Sequence, residues 1–284
     1  MDLTVTVLEI VAPVFLLAAL GFTWVKLGFE YRLEFVTRLA MTLGVPCLIF
    51  VSLMQADIDA ELLRDLSLAA IVAYGGVTLA MLAIVALLQL NMRTYLSPLT
   101  FANTGNIGLP LCLFAFGQTG LSYAIILFAI MAMWNFTFGL WVVAGGGSVW
   151  KMLREPMVGA TLLGGVFLWQ GWETPVFLTN TLDLIGQLAI PLMLITLGVA
   201  VARLTPSGIG SALALSVLKL AICTAIGWGV GRMFDLDPVA FGVLVLQLAT
   251  PVAVTSYMLA EKYGADGNAV AGLVVVSTLL AVFA

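Results

Sequence analysis

The stretch Phe101-Ala102-Asn103-Thr104-Gly105-Asn106-Ile107-Gly108-Leu109-Pro110-Leu111 decides how the rest of the chain is read. It lies inside a run apolar enough for lipid, yet Asn103, Thr104, Gly105, Asn106, Gly108 and Pro110 crowd polar side chains and helix breakers together. Freed backbone groups at bilayer depth find no water, so such a break survives only where irregular backbone is buried in protein or lines a cavity. Discontinuous helices of this kind mark substrate sites in many secondary transporters. The expectation is a transport protein whose site is built on this break.

Composition agrees. Of 284 residues, 62% are hydrophobic and 9% charged, and the mean hydropathy is +1.15, which excludes a soluble globular domain. A spanning helix takes roughly 20 apolar residues, and ten such runs follow one another with short connections. Cys47, Cys112 and Cys223 all fall inside these runs and read as small hydrophobes, not as a disulfide framework. The net charge of -4 is spread over short loops, so there is no nucleic-acid footprint. The first run carries Asp2 and Glu9 in place of a positive leader and is kept as a retained span ending near Lys26. The last run reaches Ala284 barely long enough to span, which allows for residues beyond it.

The expected spans are about Val5–Val25, Leu33–Met54, Leu66–Leu90, Tyr95–Phe116, Leu121–Ala144, Met157–Trp169, Thr181–Ala202, Gly210–Gly231, Val239–Ala260 and Asn268 to the end. The two halves echo one another. Pro13 and Gly21 match Pro156 and Gly164; Leu43-Gly44-Val45-Pro46 matches Leu188-Ala189-Ile190-Pro191. From Pro46 to Gly105 is 59 residues, and from Pro191 to Pro251 is 60, so Ala249-Thr250-Pro251-Val252-Ala253-Val254 is a second break where a copy of the first belongs. The reading is residues 1–144 as a first five-helix repeat, 145–156 as a cytoplasmic connector and 157–284 as a second repeat.

An odd number of spans per repeat inverts the second copy. Loops after alternate spans hold Lys26, Arg32, Arg38, Arg93, Lys151, Arg154, Arg203 and Lys262, whereas the opposite loops hold only Arg64 and Arg232. By the positive-inside rule both termini then lie away from the cytoplasm. The fold expected is an all-α polytopic membrane protein of ten transmembrane helices, arranged as two inverted repeats with discontinuous helices four and nine crossing. The location expected is the plasma (inner) membrane.

At 1.5 Å per residue, the steps from Tyr95 to Asn106 and from Pro238 to Thr250 put both breaks roughly 16 to 18 Å deep, about the midplane from either side. Thr250-Pro251 suits an N-cap and first helical position, while Asn103, Thr104 and Asn106 can cap the freed backbone of the first break. Each converging helix N-terminus carries roughly half a positive charge, so the crossing favours a small anion. The bland alternative is that glycine and proline here only ease helix packing, which leaves the paired asparagines unexplained.

Lys219, mid-span in helix eight, is the eleventh cation. It reads either as a counter-charge or proton-linked group, or as a structural tie to backbone carbonyls near a break. Glu9, Asp183 and Glu261 are acidic candidates for coupling, each near a span end; Asn135, Gln187 and Gln247 line a cavity or bond between helices. Trp24, Trp141, Trp150, Trp169 and Trp172 read as an interfacial belt.

With no histidine in the chain, histidine-ligated metal sites, His-based triads and intramembrane metalloproteases are excluded. No P-loop is present, so movement of a solute is passive or ion-coupled. The chain is not expected to be an enzyme.

The motif Asn103-Thr104-Gly105-Asn106-Ile107-Gly108-Leu109-Pro110-Leu111 resembles that of the auxin efflux carrier family, whose plant members have Asn-Thr at its start and Gly-x-Pro-Leu at its end. Further echoes are Ile190-Pro191-Leu192 with Leu197-Gly198, Lys219, and Thr250-Pro251, so the similarity covers nearly the whole chain. It implies ten helices in two inverted repeats with a crossover, as in bile acid sodium symporters and certain sodium/proton antiporters. It also implies a scaffold and a mobile core that give elevator-like alternating access. This chain lacks the plant members' long central loop and has Gly105-Asn106 where they are apolar, which argues against auxin itself.

The function expected is secondary transport of a small organic anion such as a carboxylate, by an exporter or proton-linked carrier. The substrate would meet Asn103, Thr104, Gly105, Asn106, Thr250, Pro251 and Lys219. The rivals are a sodium-coupled symporter of the bile acid type, with sodium at Asn103, Asn106 and Gln247, and a receptor on the same fold. No cofactor is expected beyond a coupling H+ or Na+. The partners expected are the organic anion and the lipid bilayer, with a homodimer admitted and no nucleic acid.

Overall fold

A chain this apolar can satisfy its backbone in lipid only by folding into helices, and a computed structural model shows helices throughout the residues it describes, 3–55, 60–145, 156–204 and 208–281. The connector cations Lys151 and Arg154 lie outside the described residues, as do the side chains of Glu9 and Glu261.

The first half comprises α1 (Leu3–Lys26), α2 (Leu33–Leu39), α3 (Val45–Met54), α4 (Ala60–Leu87), α5 (Met92–Thr100), α6 (Leu109–Trp134) and α7 (Leu140–Ala144). The second comprises α8 (Pro156–Gln170), α9 (Val176–Gln187), α10 (Ala189–Arg203), α11 (Ile209–Met233), α12 (Pro238–Ala249), α13 (Val254–Tyr263) and α14 (Gly267–Leu280). Widened π-type turns at Ala40–Gly44, Thr104–Gly108 and Asn135–Gly139 join α2 to α3, lead into α6 and join α6 to α7. Among the described residues, five helical stretches are long and apolar enough to cross a membrane: Leu33–Met54, Glu61–Leu87, Thr104–Ala144, Val176–Arg203 and Ile209–Met233. Shorter apolar helices accompany them, and the protein is a multi-pass membrane protein.

Several expected spans are divided or merged, each for a local reason. Thr104–Ala144 runs 41 residues, about twice a bilayer's need. Gly117 divides it with φ 65° and ψ -157°, a conformation open to glycine and strained for any side chain, between expected spans four and five. Span seven breaks between Gln187 and Ala189, where Pro191 cannot donate to the Gln187 carbonyl.

The helices sort into two groups. In one, α1 and α2 pack on α10, and α3 on α8 and α9. A methyl on Gly198 would run into the Ala18 carbonyl and one on Gly21 into that of Ile195, so α1 and α10 touch backbone to backbone. The Tyr31 hydroxyl shares a 2.8 Å hydrogen bond with Thr196, and Arg203 donates to the Tyr31 carbonyl at 2.6 Å.

The other group holds α4, α5, α6, α7, α11, α12, α13 and α14. Arg93 binds it at one end, donating to the carbonyls of Val143 at 3.1 Å and Tyr263 at 2.7 Å. Trp134 Nε1 donates to Thr78 at 3.2 Å. These inter-helix bonds stay within one group or the other, whereas two openings with polar residues in their walls lie on the seam between the groups.

Candidate functional site

Both expected breaks are present, and they touch. Residues after Thr100 and after Ala249 leave the helix, and Ala102 pairs with Val252 in an isolated antiparallel bridge. The Asn103 N–H donates 2.7 Å to the Pro251 carbonyl. Two short extended segments thus cross side by side, almost wholly buried.

Every freed backbone group named here has found a partner, as burial requires. The Asn103 carbonyl accepts from the Ile107 and Gly108 N–H groups, both at 3.1 Å. The Val252 N–H donates to Ser277 Oγ on α14 at 3.0 Å. The Thr250 carbonyl accepts from Lys219 Nζ at 2.8 Å, and the Thr250 hydroxyl donates back to the Gln247 carbonyl at 2.8 Å.

Two capping expectations are corrected. Thr250 does not start a helix but closes α12, with φ -57° and ψ 150°, and α13 begins only at Val254. Pro251 holds the residue before it out of the helical region, and the bridge to Ala102 keeps the next residues extended. Asn103 occupies the N-cap of the Thr104–Gly108 turn, but its side chain makes no capping bond.

Asn106 opens onto a cleft at the seam. The residue is 8% exposed and shares the cleft with Thr37, Thr196, Val254 and Thr255, backed by Met193. Val254 and Thr255 form the first turn of α13, whose leading N–H groups have no intrahelical acceptors. Asn106 and the first turn of α13 therefore border one small opening of about 20 Å³, and the exposed N–H groups of a helix start favour negative charge.

The remaining predicted residues divide. Thr104 is fully buried, and its hydroxyl lacks a partner, as does the Asn103 amide nitrogen. Gly105 lies against Phe128, and Gly108 against the Gln247 amide. Gln247 is fully buried with neither amide atom hydrogen-bonded, and the Cys112 thiol, a weak partner, stands beside it. Lys219 and Thr250 line a small pocket with Ser216 and Ser277, separate from the Asn106 cleft. Of the two readings of Lys219, its bond to Thr250 is that of the backbone tie.

Asn135 sits in the turn Asn135–Gly139, its oxygen unpartnered and away from the cleft lining. Asp183 accepts from Gln187 at 2.7 Å. Both line a second seam cavity of about 610 Å³ with Ser52, Gln55, Gln118 and Ser122.

Sequence reasoning missed Ser277, Thr37, Thr196 and Thr255. Thr255, a hydroxyl in the first turn after a break, carried a readable signal. The others are polar residues in apolar runs whose importance depends on which helices they meet.

The membrane transport protein family has a sequence model that matches this chain twice, over residues 6–148 and 140–284. An uncharacterized transporter of Methanothermobacter thermautotrophicus is 28% identical over 96% of this chain and 94% of its own. A Rhizobium meliloti protein named "Putative malonate transporter" is 23% identical over 64% of this chain and 61% of its own. An uncharacterized transporter of Methanocaldococcus jannaschii is 19% identical over 95% and 94%. With one family match over each half, and a crossing of broken helices where the motif stands, the chain belongs to the membrane transport protein family that includes the auxin efflux carriers, and is a transport protein and not an enzyme.

Proposed function

We propose that the chain is a secondary transporter of small organic anions, holding a carboxylate at the crossing of its two broken segments and exposing it alternately to either side. The observation that carries this is the cleft where the Asn106 amide and the first turn of α13 meet. Hydrogen bonds to a charged group contribute about 1.5–3 kcal/mol each, enough to orient one carboxylate. Asn103, Thr104, Gly105, Thr250 and Pro251 shape the crossing beneath it, and Lys219 holds it from behind.

Motion follows from the two groups. Each is stitched internally by backbone-close contacts and hydrogen bonds, while cleft and cavity lie along the seam. A seam of that kind lets one group move past the other as a body, which supports elevator-like alternating access. The double family match and the paired breaks support ten crossings in two inverted repeats, 1–144 and 157–284, joined by a cytoplasmic connector at 145–156. The distribution of cations supports termini away from the cytoplasm in a plasma (inner) membrane. The name of the Rhizobium meliloti relative fits the anion class.

One observation favours sodium coupling as a second reading: the wholly buried amide of Gln247, with only the weak Cys112 thiol beside it, near the crossing that holds Asn103 and Asn106. A thermal-shift panel of organic acids, with and without sodium and across pH, followed by counterflow in proteoliposomes, tests both. A stabilising carboxylate that also supports counterflow is expected. Binding without counterflow points to a receptor, and stabilisation that requires sodium favours the symporter; a panel with no carboxylate hit overturns the anion reading.

A further inference from the structure

One hydroxyl in the wall of the Asn106 cleft is held by a second side chain. Thr196 lies on α10, in the group opposite Asn106, and its Oγ1 shares a 2.8 Å hydrogen bond with the Tyr31 hydroxyl. Tyr31 stands in the connection between α1 and α2, where Arg203 of α10 donates to its carbonyl at 2.6 Å and anchors its backbone. Thr37 and Thr255 also line the cleft. Among the described residues, it is the Thr196 hydroxyl of these three that another side chain ties.

A helical threonine commonly turns its hydroxyl back to a carbonyl of the preceding turn. Thr42, Thr78, Thr137 and Thr181 do so, each donating to the carbonyl four residues earlier at 2.6–2.8 Å. Among the described residues, Thr196 makes no such bond to Leu192 and is bonded to Tyr31 instead. A phenol is more acidic than an aliphatic hydroxyl and is the better donor, while a threonine hydroxyl has one hydrogen to give and two lone pairs to accept with. Burial pushes the Tyr31 phenol above its ordinary value, so it keeps its hydrogen at neutral pH. With Tyr31 as donor, the Thr196 hydrogen is left to point elsewhere, beside the cleft.

We infer, resting on the carboxylate reading above, that Thr196 donates its hydroxyl hydrogen to the carboxylate in the cleft, and that Tyr31 is a positioning residue that holds Thr196 for this bond. A cavity of about 10–15 Å³ takes one water-sized group. The cleft, at about 20 Å³, has room for a carboxylate head and little else, so a hydroxyl in its wall lies close to the charge. The acid is gripped from both groups at once, by Asn106 and the first turn of α13 on one side of the seam and by Thr196 on the other. Tyr31 is not among the residues that line the cleft and acts through Thr196.

The test is titration calorimetry on the whole protein in detergent, with acetate, pyruvate, malonate and succinate as probes. The variants are Thr196→Val, Thr196→Ser, Tyr31→Phe, and Tyr31→Phe combined with Thr196→Val. For the acid that binds tightest, Thr196→Val should raise the dissociation constant roughly 10- to 100-fold, the loss of one hydrogen bond to a charged group. Tyr31→Phe should raise it about fivefold, the loss of one neutral hydrogen bond. Tyr31→Phe added to Thr196→Val should cost nothing more, because the hydroxyl it positions is gone. Thr196→Ser keeps that hydroxyl and should keep most of the affinity. A merely structural Tyr31 would weaken binding equally in both backgrounds. That result, unchanged affinity in Thr196→Val or Tyr31→Phe, or a loss in Thr196→Ser as large as in Thr196→Val overturns this inference alone. If none of the four acids binds the unaltered protein, the carboxylate reading falls and this inference with it.

Discussion

Lys219 and Thr250 are joined by a 2.8 Å bond from the buried ammonium of α11 to the carbonyl that ends α12. The last carbonyls of a helix have no partners within it and carry its negative pole, so a cation there satisfies a lone pair and complements the dipole. The bond ties one segment of the crossing from a pocket separate from the Asn106 cleft. We propose on this geometry that Lys219 acts as a positioning residue.

Lys219→Met should leave the Thr250 carbonyl unsatisfied and destabilise the protein by about 1–3 kcal/mol. The expected result is a melting temperature several degrees lower and a reduced maximal transport rate, with substrate affinity changed less than about twofold. A counter-charge role predicts the reverse split, with affinity lost first. Thermal unfolding and concentration-dependent counterflow on the same preparation separate the two.

Asn106→Ala should weaken the anion. Loss of one hydrogen bond to a charged group costs about 1.5–3 kcal/mol, or roughly a 10- to 100-fold rise in dissociation constant. The residue borders a cleft, so its removal leaves little cavity and the melting temperature without ligand should hold. Titration calorimetry with the best acid from the panel measures the first quantity, and scanning fluorimetry the second.

Gly108→Ala would push a methyl into the Gln247 amide. Overpacking of this kind costs about 1–3 kcal/mol. Gln247→Ala in the same chain should return part of that loss, because the side chain in the way is gone. Melting temperatures of the two single variants and the double variant form a cycle whose non-additivity checks the contact.

Cysteines at Thr37 and Thr255 face one cleft from the two groups. In a background with Cys47, Cys112 and Cys223 replaced, a bifunctional thiol reagent that ties them should stop counterflow. The same reagent on either single cysteine should not. Continued transport by the tied protein would mean that the groups do not move against each other.

Much of this arrangement was legible in advance, because proline and glycine act on their own backbone. The breaks at Asn103 and Pro251, and the boundary expected between Phe116 and Leu121, follow from proline and glycine acting on the local backbone. What could not be read are choices made by packing. A threonine before a proline can close one helix or open the next, and only the bridge from Ala102 to Val252 decides that Thr250 closes α12. Ser277 looks like any serine in an apolar run until α14 lies against the Val252 N–H. Lys219 had two readings with equal local logic, and its bonding partner is set by how α11 meets α12.

The most direct test is an electron cryomicroscopy map of the protein saturated with the carboxylate that stabilises it most. The account predicts carboxylate density in the cleft, within hydrogen-bond reach of the Asn106 amide and the first N–H groups of α13. Density confined to the cavity beside Asp183, or a filled cleft whose ligand turns its uncharged end toward Asn106, would contradict it.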